Sequence, residues 1–162
     1  MRLLLRQEVH RPCAAGHEIA AGPDSPRRER WLWDVRLYTA RPGTEEGVST
    51  SVRELPPPAP PGLETARYVG VRHRTGVIEA AVESLKISGS RRFERAGGEL
   101  WVLLCQAGIL TEGRRTVGPG DALILEGDDP LTVRVSSAGG RPASVVLVRL
   151  SRADGSNLRW VP

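Results

Sequence analysis

The chain has 162 residues, among them 18 glycines and 13 prolines, and its formal net charge is +4. This length fits one domain or two very compact halves, and the many glycines and prolines are typical of short strands joined by turns. The positive charge comes from scattered arginines rather than from one basic stripe, so the composition argues against nucleic-acid binding. No apolar stretch approaches the roughly 20 residues of a membrane span. The two cysteines give neither a disulfide framework nor a metal-binding spacing, so we expect a cytoplasmic protein without a signal peptide.

The first part of the chain contains three predicted strands, at residues 2–7, 16–23 and 31–39. The third, WLWDVRLYT, alternates between two kinds of side chain. One face carries Trp31, Trp33, Val35 and Leu37, and the other carries Leu32, Asp34, Arg36 and Tyr38. This period of two predicts a strand with one buried face.

A proline-rich segment, LPPPAPPG at residues 55–62, follows. It cannot form an inner strand, because proline lacks the backbone donor that a sheet requires. It is either a polyproline linker or a surface loop, and it is the best candidate for a domain boundary.

The rest of the chain is rich in apolar segments of strand length. Predicted strands cover residues 65–72, 76–88, 99–105, 121–125, 131–135 and 143–150. The segment 76–88 also contains alanines and glutamates that favour a helix, but its neighbours on both sides are strands, so we predict a strand. Ala-Gly-Gly at 138–140 is expected to form the last hairpin turn, and the polar tail 151–162 is expected to pack through Trp160.

Two stretches resemble those of cupins, small β-barrels that often hold a metal. The stretch 116–135, TVGPGDALILEGDDPLTVRV, contains Gly120 and Asp121 followed by an apolar strand, and the stretch 89–108 contains Glu99 in the place of a metal-binding glutamate. Metal-binding cupins add three histidines to these stretches. The histidines of this chain are His10, His17 and His73, and all lie outside both stretches. Because one carboxylate does not hold a transition metal in water, we predict no metal site and no cofactor.

Leu131 stands where such a cupin has its third histidine. Leu131, Val133 and Val135 alternate with polar neighbours, so we expect all three to face into the barrel. Leu131 would then fill the place of the metal, and Leu131→Ala would cost about 2–5 kcal/mol, the usual range for a core leucine.

The chain as a whole resembles the HutD/Ves family of bacterial cupin proteins. The likeness is carried by MRLLLRQEVHRP with HEIAAGP, by WLWDVRLYTA, by VRHRTGVIEAAVESLKISG, and by the run from GELWVLLC to ASVVLVRL. The family's Trp-Lys-Asn-Gly opening motif is replaced here by RPCAAG, and the chain is shorter than typical members. The resemblance implies an all-β fold of RmlC-like jelly-roll type, in which an eroded first barrel precedes an intact second one. The expected organisation is N-terminal strands with a Pro-rich connection at 1–62, a cupin barrel at 63–150 and a C-terminal tail at 151–162.

The resemblance implies a non-catalytic, metal-free protein that binds a small anionic metabolite or acts as a regulatory or accessory protein. The alternative is a metal-free cupin enzyme, such as an isomerase, epimerase or cyclase, with acid–base residues in the barrel. An enzyme of this kind needs a base and an acid in one pocket, and His73 and Glu99 are the candidates. A barrel filled with leucine and valine would favour the binding protein. The candidate partners are a small anionic metabolite and a second copy of the chain.

The candidate ligand-binding residues are charged groups expected near a barrel mouth. Arg72, His73 and Arg74 form a basic cluster, and arginine forks suit carboxylates. Glu99 would be an inward polar group that orients a ligand amine. Arg36 lies on the more polar face of its strand and completes the set. For each of these residues, simple exposure to solvent is the alternative interpretation.

Overall fold

The computed structural model of the protein describes residues 3–6, 10–13, 16–23, 31–57, 59–60, 62–127 and 129–158. These residues form fourteen β-strands and no helix, so the predicted all-β class is confirmed. The strands are β1 (Leu3–Leu5), β2 (Arg11–Cys13), β3 (Gly16–Pro23), β4 (Trp31–Tyr38), β5 (Val48–Glu54), β6 (Tyr68–Arg74), β7 (Ile78–Ile87), β8 (Ser90–Glu94), β9 (Leu100–Ala107), β10 (Leu110–Glu112), β11 (Arg115–Val117), β12 (Ala122–Leu125), β13 (Thr132–Ser137) and β14 (Ala143–Arg152). Within this described part, no helix is long and apolar enough to cross a membrane.

Two sheets form the C-terminal barrel. One has the strand order β1-β12-β9-β14-β7, and the other has the order β11-β10-β13-β8. Because side chains alternate along a strand, one face of each sheet points towards the other. The interior between them is apolar and consists of Ile87, Trp101, Leu103, Cys105, Leu110, Val117, Leu123, Leu125, Val133, Val135, Ala143, Val145 and Leu147. This barrel core is filled largely by leucine and valine.

A third sheet, with the order β2-β3-β4-β6-β5, packs on the outer face of the five-stranded barrel sheet. A second apolar core joins the two sheets. Its members include Trp33, Val35, Leu37, Val69 and Val71 from the N-terminal sheet and Leu100, Val102, Leu104, Val146 and Val148 from the barrel sheet. The strands β9 and β14 are therefore buried on both faces, which explains why their sequences are apolar without alternation.

Strand pairing crosses the predicted division at residue 62 in both directions. Strand β1 pairs with β12 of the barrel, and β6, which follows the division, pairs with β4 and β5 of the N-terminal sheet. The segment 55–62 contains no strand among its described residues, and it is anchored rather than free. Leu55 is buried in the second core, and the Gln106 side chain donates a hydrogen bond to the Pro56 carbonyl. Of the two interpretations of this segment, the structure fits the surface loop.

The segment at 76–88 is a strand, as predicted. Strand β7 pairs with β14 in a continuous antiparallel register from Ile87 opposite Ala143 to Ile78 opposite Arg152. A ladder of this length outweighs the helix preference of the alanines and glutamates inside it, because tertiary pairing overrides intrinsic propensity.

The expectation that β4 is buried on one face only is wrong. Trp33, Val35 and Leu37 face the second core, but Asp34 and Tyr38 on the opposite face are also buried, with exposed fractions of 1% and 2%. A sequence pattern of alternating polarity cannot distinguish a polar face in solvent from a polar face that is covered. The covered polar face of β4 is where the candidate site lies.

The expectation for Leu131 is also wrong. Its side chain is 50% exposed, whereas Val133 and Val135 are buried in the barrel core. Leu131 lies one residue before the first residue of strand β13, Thr132, at the end of the ladder with β8. The backbone carbonyl of Leu131 instead accepts a hydrogen bond from the Arg95 amide at 2.6 Å.

The last predicted hairpin is absent from the described residues, because β13 and β14 lie in different sheets. The glycines at 139 and 140 both adopt positive φ, so the connection at 138–140 turns the chain from one barrel sheet to the other. The tail does pack, through Leu158, which is buried in the second core. Trp160 and the side chain of Trp31 lie outside the described residues.

Candidate functional site

The polar face of the N-terminal sheet brings together four residues from β4 and β6, which we name the Asp34 cluster: Asp34, Arg36, Tyr38 and Arg72. The first three alternate along β4 and therefore share one face. The register places Arg72 of β6 directly opposite Asp34, and Gly70 opposite Arg36. A Cβ atom at Gly70 would lie only 2.6 Å from the Tyr38 ring, so glycine allows that ring to lie across β6.

The Asp34 carboxylate is the centre of this cluster. Arg72 donates from Nε to both carboxylate oxygens at 3.1 Å and from Nη2 to Oδ2 at 2.5 Å. The Nη2 atom of Arg36 lies 3.2 Å from the same Oδ2. Two guanidinium groups therefore share one buried carboxylate. Glu18 and Glu45 flank the pair, at 3.5 Å from Arg36 and 3.4 Å from Arg72.

Burial and charge shift the pKa values inside the cluster. Burial raises the pKa of Tyr38, and the neighbouring Asp34 carboxylate raises it further, so the phenol stays protonated and can donate. The hydrogen bond to Asp34 raises the pKa of Arg72, which keeps the guanidinium charged. The side chains of Arg36 and Arg72 are 20% and 19% exposed, so solvent reaches the cluster at these two arginines.

Two polar atoms of the cluster have no hydrogen-bond partner among the described residues. They are the Tyr38 hydroxyl and the Nε atom of Arg36, and both atoms are buried. A buried donor without a partner costs roughly 1–3 kcal/mol, so such a group calls for an explanation. Both atoms donate, and their residues are two apart on the same face of β4. A group that accepts two hydrogen bonds would satisfy both.

The predicted residues His73 and Arg74 are neighbours in β6, and their side chains therefore point to opposite faces of the sheet. His73 faces away from the cluster, is 8% exposed, and its Nδ1 atom lies 2.8 Å from the Ile78 carbonyl oxygen. Burial lowers the pKa of His73, which favours the neutral ring. Arg74, the last residue of β6, lies on the same face as Arg72 and is partly buried. Of the predicted basic cluster, the two arginines therefore share a face and the histidine does not.

Glu99 belongs to a different part of the molecule. Its carboxylate accepts hydrogen bonds from the Trp101 indole at 2.8 Å and from the Ala96 amide at 3.0 Å. Nearby, the buried Arg95 donates to the Glu99 carbonyl at 2.5 Å and to the carbonyls of the 126–130 turn. These bonds hold the loop before β9 against the turn before β13. Glu99 thus anchors a loop and does not meet His73.

The sequence analysis named Arg36 and Arg72, which lie in the Asp34 cluster, but it did not name Asp34 and Tyr38 as candidates. The signal was present, because Asp34, Arg36 and Tyr38 interrupt an apolar strand at every second position. What the sequence could not provide was the pairing of β4 with β6, which brings Arg72 across from Asp34. Among the residues that the structure describes, no group of three or more His, Cys, Asp or Glu side chains is arranged to hold a metal ion.

Comparison with known proteins gives a fold and no sequence family. No family model matches the sequence, and no curated protein matches it. The similar solved structures include the conserved protein of unknown function PA5104 from Pseudomonas aeruginosa PAO1, at 16% identity and a TM-score of 0.69, and HutD from Pseudomonas fluorescens SBW25, at 13% identity and a TM-score of 0.63. Each comparison covers 94% of this chain and 99% of the solved chain. At such identities the likeness shows the fold, and the predicted HutD-like cupin fold is confirmed.

Proposed function

We propose that this chain, which has the fold of HutD, is a non-catalytic protein that binds a small anionic metabolite at the Asp34 cluster. The observation that carries the proposal is the pair of buried donors without a partner among the described residues, the Tyr38 hydroxyl and Arg36 Nε, on residues two apart on one face of β4. A carboxylate has two oxygens that can each accept one of these donors. A binding protein without chemistry of its own would serve as a regulatory or accessory protein.

The charge balance inside the cluster is compatible with an anion. The most buried part of the cluster, Arg36, Arg72 and Asp34, carries one net positive charge, whereas these three groups together with the flanking Glu18 and Glu45 carry one net negative charge. The flanking carboxylates of Glu18 and Glu45 are more exposed, at 23% and 58%, so water screens them more than it screens Asp34. Since the arginine side faces solvent, an anion can approach from there.

The alternative, a metal-free cupin enzyme, has less support. Its two candidate acid–base residues have separate hydrogen-bond partners: His73 bonds to the Ile78 carbonyl, and Glu99 bonds to the Trp101 indole. The barrel interior, where such an enzyme would hold its substrate, is filled by apolar side chains from both barrel sheets. A reaction would require a base and an acid converging on one substrate, and the described residues of the barrel provide no such pair.

Thermal unfolding in the presence of carboxylates tests the proposal. Formate, acetate and glutarate serve as probes, because a ligand that binds the folded state raises the unfolding midpoint, and a tighter ligand raises it more at the same concentration. We expect at least one probe to stabilise the wild-type protein, and the effect to be lost in Tyr38→Phe and Arg36→Gln. Arg114→Gln, which changes an exposed arginine on the β10–β11 turn, is the control and should keep the full effect. Equal stabilisation of all four proteins would show that the probes act elsewhere.

A further inference from the structure

Strand β8 is an edge of the four-stranded barrel sheet. Its five residues, Ser90–Glu94, pair with β13 on one side in an unbroken antiparallel register. Four of the five side chains are exposed, and Phe93 is partly buried. An edge of this kind presents unpaired backbone groups that can accept another strand.

The hydrogen-bond pattern identifies which backbone groups are free. Ser137 donates to the Gly89 carbonyl, and Arg95 donates to the Leu131 carbonyl, so odd-numbered residues of this segment bond to β13. In an antiparallel pair the bonded positions alternate, and the residues between them point their N–H and C=O groups the other way. The backbone groups of Ser90, Arg92 and Glu94 therefore point to the open side of the sheet.

The side chains along this edge carry an excess of positive charge, with Arg91, Arg92 and the neighbouring Arg134 against Glu94. Arg92 lies directly across from Arg134 on the outer face of the sheet, and both are exposed. Like charges in this position repel, and the Glu94 carboxylate offsets this repulsion only on the Arg92 side of the pair. Arg92 is 2.7 Å from Glu94, but no ion pair joins Arg134 to any residue of the described part.

We propose that β8 is a docking edge for an acidic, extended segment of a partner protein, which adds to the sheet as a further strand. The added residue that bonds to the Arg92 backbone would share the outer face with Arg92 and Arg134, so an acidic side chain fits there. Its two neighbours would point to the opposite face, beside Phe93, so apolar side chains fit there. The sequence that this edge recognises is apolar–acidic–apolar.

The same charges select against other occupants. A second copy of the chain pairing through its own β8 would bring Arg91 and Arg92 of both molecules together, which is repulsive. A single-stranded nucleic acid needs open aromatic rings for base stacking, but Phe93 lies edge-on to Trp101, with ring centroids 6.3 Å apart, and is covered by Arg91 at 4.8 Å. Arginines at the edge therefore disfavour a basic strand and favour an acidic one.

The test is a titration of the isotope-labelled full chain with the peptide Thr-Val-Glu-Val-Thr at low salt, followed through backbone amide signals. We expect the amides of Ser90, Arg92 and Glu94 to shift more than those of Arg91 and Phe93. A peptide with N-methyl groups on the edge-facing amides should not bind, because it cannot form the ladder.

Charge reversal provides the variants for this test. Arg92→Glu should weaken binding of the glutamate peptide by about tenfold or more and should create binding of the corresponding lysine peptide, since attraction and repulsion are exchanged. Arg41→Glu, at an exposed arginine in the β4–β5 loop, makes the same change in net charge and should alter the affinity by less than about twofold, because distant exposed charges are screened. Equal loss in both variants, retained binding of the N-methylated peptide, or stronger shifts of the same amides with a single-stranded oligonucleotide would each overturn the proposal.

Discussion

The substitution Asp34→Asn tests how much the Asp34 cluster contributes to the stability of the N-terminal sheet. The carboxylate is 1% exposed and accepts hydrogen bonds from Arg72 while it also pairs with Arg36. Asparagine keeps the size but removes the charge, so two largely buried guanidinium groups lose their common partner. Breaking a buried ion pair from one side typically costs about 3–5 kcal/mol. Because both arginines keep a fifth of their exposure and can turn to water, we expect about 2–4 kcal/mol for Asp34→Asn.

Urea unfolding followed by tryptophan fluorescence measures this loss, because Trp33 lies on the other face of the same strand. Glu46→Gln, at an exposed position of the β4–β5 loop, is the control and should change stability by less than about 0.5 kcal/mol. A loss below about 1 kcal/mol for Asp34→Asn would mean that water reaches and screens the pair. The description of a covered polar face would then be wrong.

Three further outcomes follow from particular residues. Leu131→Ala should cost less than about 0.5 kcal/mol and Val133→Ala about 1.5–3 kcal/mol in the same unfolding assay, because only the second side chain is buried. Burial raises the pKa of Cys105 to about 12, so iodoacetamide at about pH 8 should modify Cys13 in the folded protein and Cys105 only in denaturant. Burial lowers the pKa of His73 below 6.5, so the folded state binds this proton less readily than the unfolded state. The stability contributed by the neutral ring is therefore present above about pH 6.5 and is lost as the pH falls towards 5. Unfolding experiments at these two pH values should show a smaller loss of unfolding free energy in His73→Gln than in the wild-type protein.

Nine of the fourteen strands of the described residues could be predicted from the sequence because their signals were local, whereas β2, β5, β8, β10 and β11 were not predicted. The apolar runs of β9 and β14 and the alternation in β4 gave their positions directly. Even the ambiguous β7 was decided correctly from its neighbours. The Leu131 error came from extending an alternation one residue beyond the start of β13, which is set by the preceding turn and by the Arg95 contact.

The candidate site could be predicted only in part, because it depends on pairing between strands distant in sequence. Arg36 and Arg72 are 36 positions apart, and they meet because β6 pairs with β4 and not with the barrel. The predicted division at residue 62 had assigned β6 to the barrel and so separated these two arginines. His73 was grouped with Arg72 by adjacency in sequence, but adjacent residues of a strand point to opposite faces.

The central claim is that a small carboxylate binds where Tyr38 and Arg36 have unpartnered donors. A crystal structure of the full chain, grown with the most strongly stabilising of formate, acetate and glutarate, tests this most directly. We expect one carboxylate whose oxygens lie within about 3 Å of the Tyr38 hydroxyl and of Arg36 Nε. A structure in which these two atoms bond to another part of the chain, with the carboxylate bound elsewhere or not at all, would contradict it.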